Sequence, residues 1–159
     1  MIDLEAIELI KQLKSRYFRL LDTANFDELR TVFSQSPGIH YRSPSYEHKY
    51  DNWADIKAFL KQSFSATKFG IHTGHHPEIS VDGDTATGIW YLHDKFVSLD
   101  DNITFEGSAI YQDRYIKENG EWKIAFSEYD RLFEEITVRN DSMIVTSKPT
   151  QVALKLNNV

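Results

Sequence analysis

Apolar residues recur at Ala6, Leu9, Ile10, Leu13, Tyr17, Leu20 and Leu21, in steps of three and four. That spacing predicts a helix over Asp3–Ala24 with one broad buried stripe and Asp3 as its N-cap. A short second helix, Phe26–Phe33, follows with Asn25 as cap, and Ser36-Pro37-Gly38 closes it. Ile39–Ser43 alternates as a strand, and a loop carrying Tyr46, His48 and Tyr50 leads to Asn52. Asn52 caps a third helix running to Ser65, where Trp53, Ile56, Phe59, Leu60 and Phe64 repeat at helical spacing. From there the period changes to two. Ile71–Phe96 reads as a hairpin folded at Asp82-Gly83, two residues suited to positive φ. Ile103–Ile116 and Glu121–Phe133 form a second hairpin around Glu118-Asn119-Gly120.

Pairing outward from Asp82-Gly83 sets Ile79 opposite Ala86, His75 opposite Trp90 and Ile71 opposite Asp94, so Trp90, Leu92, Asp94 and Phe96 share one face. That face is apolar except for a carboxylate, which needs water or a partner such as Arg114 or Arg131 if buried. In the second hairpin Phe105, Gly107, Ala109, Tyr111 and Tyr115 fall on one parity, and Trp122, Ile124 and Phe126 on another. Small residues at Gly107, Ser108 and Ala109 suit sharp curvature. Helices first and long antiparallel strands afterwards make the fold class α+β, a curved sheet wrapped around N-terminal helices. The expected division is a domain over residues 1–136 and an extension over 137–159. The extension's apolar pieces, Met143–Val145 and Val152–Leu156, either dock on a partner subunit or fray.

The 159 residues suffice for one domain with a core and a cavity, and 13% aromatic content is enough to line a ligand site. The formal charge of −6 comes without a basic cluster, which argues against nucleic acid or an anionic membrane as partner. Cysteine is absent, removing disulfides, thiolate nucleophiles and cysteine zinc sites together. The amino terminus carries acids where a signal peptide would carry bases, and no apolar run reaches the length of a membrane span; the expectation is a soluble, cytoplasmic protein.

Four of the six histidines lie between Ile71 and Phe96. Ideal pairing puts His75, not His72, in phase with Trp90 and Asp94. A one-residue bulge at His75-His76-Pro77 reverses the phase, and Pro77 cannot donate to the ladder, so His72 is ranked first and His75 second. A metal shared by these histidines would need the same bulge, and no other ligand pattern accompanies them; none is assigned. His40, His48 and His93 read as surface or loop residues.

The segments Leu21-Asp22-Thr23-Ala24-Asn25-Phe26-Asp27-Glu28-Leu29, Ile39-His40-Tyr41-Arg42-Ser43 and Asn119–Ile124 give the chain, from Leu9 to Phe133, a resemblance to the nuclear transport factor 2-like superfamily. Within it the resemblance is to the SnoaL-like group that includes scytalone dehydratase and the bile-acid dehydratases. It implies a cone-shaped sheet around a deep pocket, commonly in a homodimer, doing acid–base chemistry without metal or cofactor. Residue by residue it implies Asp22 and His72 as an acid–base pair, with Tyr41 and Tyr17 beside the substrate. Asp94 and, more loosely, Arg131 match the bile-acid enzymes; Phe96 stands where scytalone dehydratase has a second histidine. Trp90, Phe96, His75 and Trp53 complete the candidate substrate contacts.

An imidazole titrates near neutrality and a carboxylate beside it fixes its tautomer, so such a pair suits loss of water from a β-hydroxy carbonyl compound. Tyr17 and Tyr41 are placed to stabilise the enolate. The expected function is a lyase or isomerase acting on a small hydrophobic oxygenated ring such as a polyketide, steroid or terpenoid. A non-catalytic binding or assembly module, a polyketide cyclase and an epoxide hydrolase stand as alternatives. Each residue also has a plainer role: Asp22 as a helix-end bridge to Arg19 or Lys14, Tyr17 and Tyr41 as core aromatics, Asp94 and Arg131 as an ion pair.

Overall fold

A computed structural model describes residues 2–148. Helix α1 (Leu4–Asp22) is capped by Asp3, whose carboxylate accepts from Ala6 N–H at 2.9 Å. Its buried stripe differs from the expected one at three positions. Leu9 is 44% exposed, while Lys14 and Phe18 turn inward beside Ile10, Leu13, Tyr17 and Leu21. α2 (Phe26–Leu29) is capped by Asn25 and passes through a 3-10 turn at Arg30–Val32 into strand β1 (Phe33–Ser43). Ser36-Pro37-Gly38 is therefore not a helix stop but the irregular middle of β1, where its register against the last strand shifts.

The expected loop at Tyr46–Tyr50 is strand β2, antiparallel to β1. α3 (Trp53–Ser63) is capped by Asn52. β3 (Lys68–Asp82), β4 (Thr85–Ser98), β5 (Ile103–Glu118) and β6 (Glu121–Val138) follow, and β6 runs two residues past the expected domain limit at 136. The sheet order is β2-β1-β6-β5-β4-β3, with β1 parallel to β6 and every other pair antiparallel. This is the α+β architecture expected: three helices and a six-stranded, curved, mixed sheet, with α1 lying against its concave face and contributing to one core with β3–β6. Residues 152–156 of the tail lie outside the described residues.

Local chemistry sets the register. The first turn is centred on Gly83-Asp84, with Asp82 paired to Thr85 and positive φ at Gly83 alone, one residue later than expected. At the second, Asn119 and Gly120 both take positive φ, as an Asn-Gly two-residue turn requires. β3 bulges between His75 and Glu78, where His76 has φ 51°, and below the bulge His72 pairs with Asp94. Two further bulges bend β6, one at Ala125 and one at Leu132. The one at Ala125 moves Ser127, Tyr129 and Arg131 to the inner face and turns Phe126 outward under Arg114, so Phe126 does not share the face of Trp122 and Ile124 as its parity suggested.

Candidate active site

The concave face and the helices enclose a cavity of about 180 Å³. Tyr17 and Leu21 of α1, Tyr41 of β1, Phe59 and Leu60 of α3, His72 of β3, Leu92, Asp94 and Phe96 of β4, Phe105 and Tyr111 of β5, and Tyr129 and Arg131 of β6 all face it. The wall is aromatic and aliphatic with a few polar groups set into it, the composition of a small-molecule site.

Asp22, the last residue of α1, meets His72 across the edge strand. Its Oδ1 lies 2.5 Å from His72 Nδ1, and its Oδ2 accepts the His72 backbone N–H at 3.0 Å. An ionised carboxylate only accepts, so Nδ1 carries the proton and Nε2 presents a lone pair; among the described residues no side chain bonds Nε2. Phe18 stacks on the imidazole at 5.9 Å with the planes 8° apart. Asp22 itself does not line the cavity. It sits behind the ring in a surface groove with Arg19 and Thr23, so it can act on a cavity occupant only through His72.

Asp94 finds its partner in Arg131: the guanidinium donates to both carboxylate oxygens at 2.5 and 2.7 Å, and both side chains are almost wholly buried. Burial opposes the guanidinium's charge most strongly of any one influence, but the hydrogen bonds to Asp94, its charge and the neighbouring Tyr129 and Tyr46 together outweigh it and hold Arg131 above the usual arginine pKa. Arg131 Nε–H also donates to Tyr46 Oη at 2.9 Å, and Tyr46 is hydrogen-bonded to Tyr129 at 2.8 Å. Across the cavity Tyr17 and Tyr41 share a hydrogen bond of 2.9 Å. Burial raises the pKa of Tyr17, Tyr41, Tyr111 and Tyr129, which keeps these phenols protonated.

Of the residues selected from sequence, Tyr17, Tyr41, His72, Asp94, Phe96 and Arg131 meet at this cavity. Three do not. Trp90 is buried in the core and donates to Tyr115 Oη at 3.0 Å. Trp53 packs on Phe33 and under Arg30 because its position on α3 faces β1. His75 lies in the same register as His72 but three residues along the strand, so it faces the other side of the sheet, where it stacks on Tyr91 and contacts His76 outside the cavity. Conversely, His48 is not a surface residue: it lines the cavity between Tyr46 and Phe59, and burial lowers its pKa. The period-two run Tyr46-Glu47-His48-Lys49-Tyr50 was the signal that would have found it, together with Tyr46. Tyr129 carried no signal, since only the bulge at Ala125 brings it inward.

Among the described residues no set of three or more histidine, aspartate or glutamate side chains is arranged to hold a metal ion, and no helix is long and apolar enough to cross a membrane. A family model described as a SnoaL-like domain matches residues 3–128. A scytalone dehydratase-like protein from Novosphingobium aromaticivorans superposes with TM-score 0.73 at 18% identity, over 95% of this chain and 97% of its own. The hexachlorocyclohexane dehydrochlorinase LinA-type3 of Novosphingobium barchaimii gives 0.73 at 15% identity, over 84% and 91%. ActVI-ORFA of Streptomyces coelicolor gives 0.67 at 19% identity, over 80% and 98%. At these identities the likeness concerns the fold.

Proposed function

The chain belongs to the SnoaL-like domain family of the nuclear transport factor 2-like superfamily, and from that premise we propose that it is an elimination or isomerisation catalyst for a small, hydrophobic carbonyl compound. The observation that carries this reading is the His72 imidazole, bonded by Asp22 at Nδ1 and lining an aromatic cavity. His72 takes the proton α to a carbonyl and returns it, to a departing hydroxyl in dehydration or to another carbon in isomerisation. Asp22 is a positioning residue: it selects the tautomer and steadies the imidazolium that forms. A phenolic hydroxyl on the facing wall stabilises the enolate, and two hydrogen-bonded pairs border the cavity, Tyr17–Tyr41 and Tyr46–Tyr129. Two structural neighbours bear the names of a dehydratase and a dehydrochlorinase, both eliminations that begin with loss of a proton, which fits this reading.

Epoxide hydrolysis is less well supported. It would require Asp22 to activate water in the cavity, whereas the carboxylate lies outside the lining with both oxygens engaged. The non-catalytic alternative predicts a filled interior, and the open volume beside His72 speaks against it.

The test uses 1-tetralone, an unreactive ketone with acidic α-hydrogens, and 3-hydroxy-1-tetralone, which becomes fluorescent 1-naphthol on losing water. The protein is expected to accelerate α-hydrogen exchange of the first in deuterium oxide and naphthol release from the second. Asp22→Asn should lower kcat more than it raises KM, preserve the melting transition, and change the ring tautomer seen by nitrogen NMR of His72. Exchange no faster than in buffer, with the ketone bound, would remove the proton-transfer assignment.

A further inference from the structure

Each charge at the cavity already has a partner. Arg131 is spanned by Asp94, with Glu134 a further 3.5 Å from its Nε; His72 is held by Asp22; Lys95 at the rim lies 3.4 Å from Glu106. Lys14, beneath the lining, is 2.6 Å from Asp113. Among the described residues a carboxylate entering the cavity finds no spare cation and would lose its hydration without a matching charge.

The hydroxyl groups are not so balanced. A phenol has one proton and two lone pairs, and a guanidinium can only donate. Arg131 Nε–H therefore occupies a lone pair on Tyr46, and the Tyr46–Tyr129 bond consumes one of the pair's two protons. One phenolic proton is left over whichever way that bond is directed, and both rings border the cavity. Tyr17 and Tyr41 also leave one proton after their shared bond, but among the described residues no cation hydrogen-bonds to either hydroxyl. The hydrogen bond from Arg131 polarises the Tyr46–Tyr129 pair and makes its remaining O–H the stronger donor.

We propose that the Tyr46–Tyr129 pair, primed by Arg131, is the site that binds the substrate's carbonyl oxygen, and that the substrate is an uncharged ketone rather than a carboxylate. This deepens the proposed function and rests on it in one respect: the carbonyl held here is the one whose α-proton His72 removes. His48 stacks on Tyr46, and its partial burial lowers its pKa and so disfavours a charge beside the site.

The carbonyl stretch of carbon-13-labelled 1-tetralone, read by isotope-edited infrared spectroscopy, tests the assignment. Bound to the wild-type protein, the band should lie at lower wavenumber than in an aprotic solvent. Tyr129→Phe and Tyr46→Phe should each return most of that shift, and Tyr17→Phe should leave it in place. 1-Naphthoate, of similar shape but anionic, should bind at least tenfold more weakly. The proposal falls if the ketone does not bind, if its band is unshifted, if Tyr17→Phe rather than the other two variants returns the shift, or if 1-naphthoate binds as well. Tyr46 sits at the half-exposed end of β2, so Tyr46→Phe carries the test if Tyr129→Phe does not fold. The two readings fail separately: a shifted band without α-exchange in the wild type supports this oxygen site and removes the role given to His72.

Discussion

The molecule holds two buried clusters built from the same materials, an ion pair beside tyrosine hydroxyls, and they end differently. Beneath the cavity, Asp113 accepts from Ser127 and Tyr115, each at 2.7 Å, and lies 2.6 Å from the Lys14 ammonium, while Trp90 donates to Tyr115. The ammonium is poorly aligned for a hydrogen bond to Asp113 and instead faces aromatic rings, 3.6 Å from the centre of Tyr111. Burial lowers the Lys14 pKa, and the charge of Asp113 works against that shift. Every phenolic and hydroxyl proton of this lower cluster has an acceptor. In the upper cluster, Asp94, Arg131, Tyr46 and Tyr129 stop at a hollow with one proton unclaimed. A buried ion pair is thus no mark of a reaction centre by itself; a donor left over beside empty volume is the better one.

The sharpest way to break the contrast is to remove His72, which borders the hollow beside the upper cluster, and separately the carboxylate of the lower cluster. His72→Ala should reduce α-exchange and dehydration by about 10²–10⁴-fold, the range usual for a general acid–base group, with little loss of stability. Asp113→Ala should do the reverse. Leaving the Lys14 ammonium buried and unpaired costs about 3–5 kcal/mol in urea unfolding, and activity per folded molecule should persist. If Asp113→Ala abolished exchange in protein that remained folded, the lower cluster would belong to the chemistry after all.

The two clusters were unequally legible in the sequence. Helical spacing and the caps at Asp3, Asn25 and Asn52 placed the three helices, and the two Gly-containing turns placed the hairpins, because those signals are local. The phase of His72 was within reach since Pro77 marks a break in the ladder; the turn lies one residue later than expected, a slip of two in register that preserves parity, and the bulge then reverses it. Nothing local marks the bulge at Ala125, so Tyr129 was missed and Phe126 misassigned. Lys14 sits on a stripe between Ile10 and Phe18, where a lysine ordinarily points to solvent; only the long-range approach of Asp113 makes its burial tolerable. Trp53 and Trp90 were chosen as large aromatics near the expected pocket, but helix rotation for one and the hydrogen bond to Tyr115 for the other take them into the core.

Phe18 joins the clusters, stacking on His72 and lying 5.1 Å from the Lys14 ammonium. A β-carbon at Gly74 would collide with its ring. Gly74→Ala should therefore cost about 1–3 kcal/mol as an overpacked contact and, by moving the ring that stacks on the imidazole, lower activity as well. Loss of stability with activity per folded molecule intact would mean that Phe18 supports the core and leaves His72's aim untouched.

The gentlest probe is alkaline pH, because the buried phenols of both clusters titrate in the same direction. Burial raises the pKa of Tyr17, Tyr41, Tyr111, Tyr115 and Tyr129 above the ordinary value of 10.0. Above pH 10 the unfolded chain has released these protons while the folded chain still holds them, so the unfolded state binds fewer protons and stability must fall as pH rises, by up to about 1.4 kcal/mol per pH unit for each such phenol. Lys14 acts with the opposite sign: its lowered pKa makes stability rise with pH until the unfolded lysine has also lost its proton near 10.5. Melting temperature should accordingly hold or climb slightly towards pH 10 and then drop steeply, with the phenolate absorbance of these five buried tyrosines appearing only as the protein unfolds. A phenol pair that ionised in the folded state well below that drop would be one already in contact with water. If the pair were Tyr46–Tyr129, the cavity would be too wet for its leftover proton to bind a carbonyl selectively, and the contrast between the clusters would collapse.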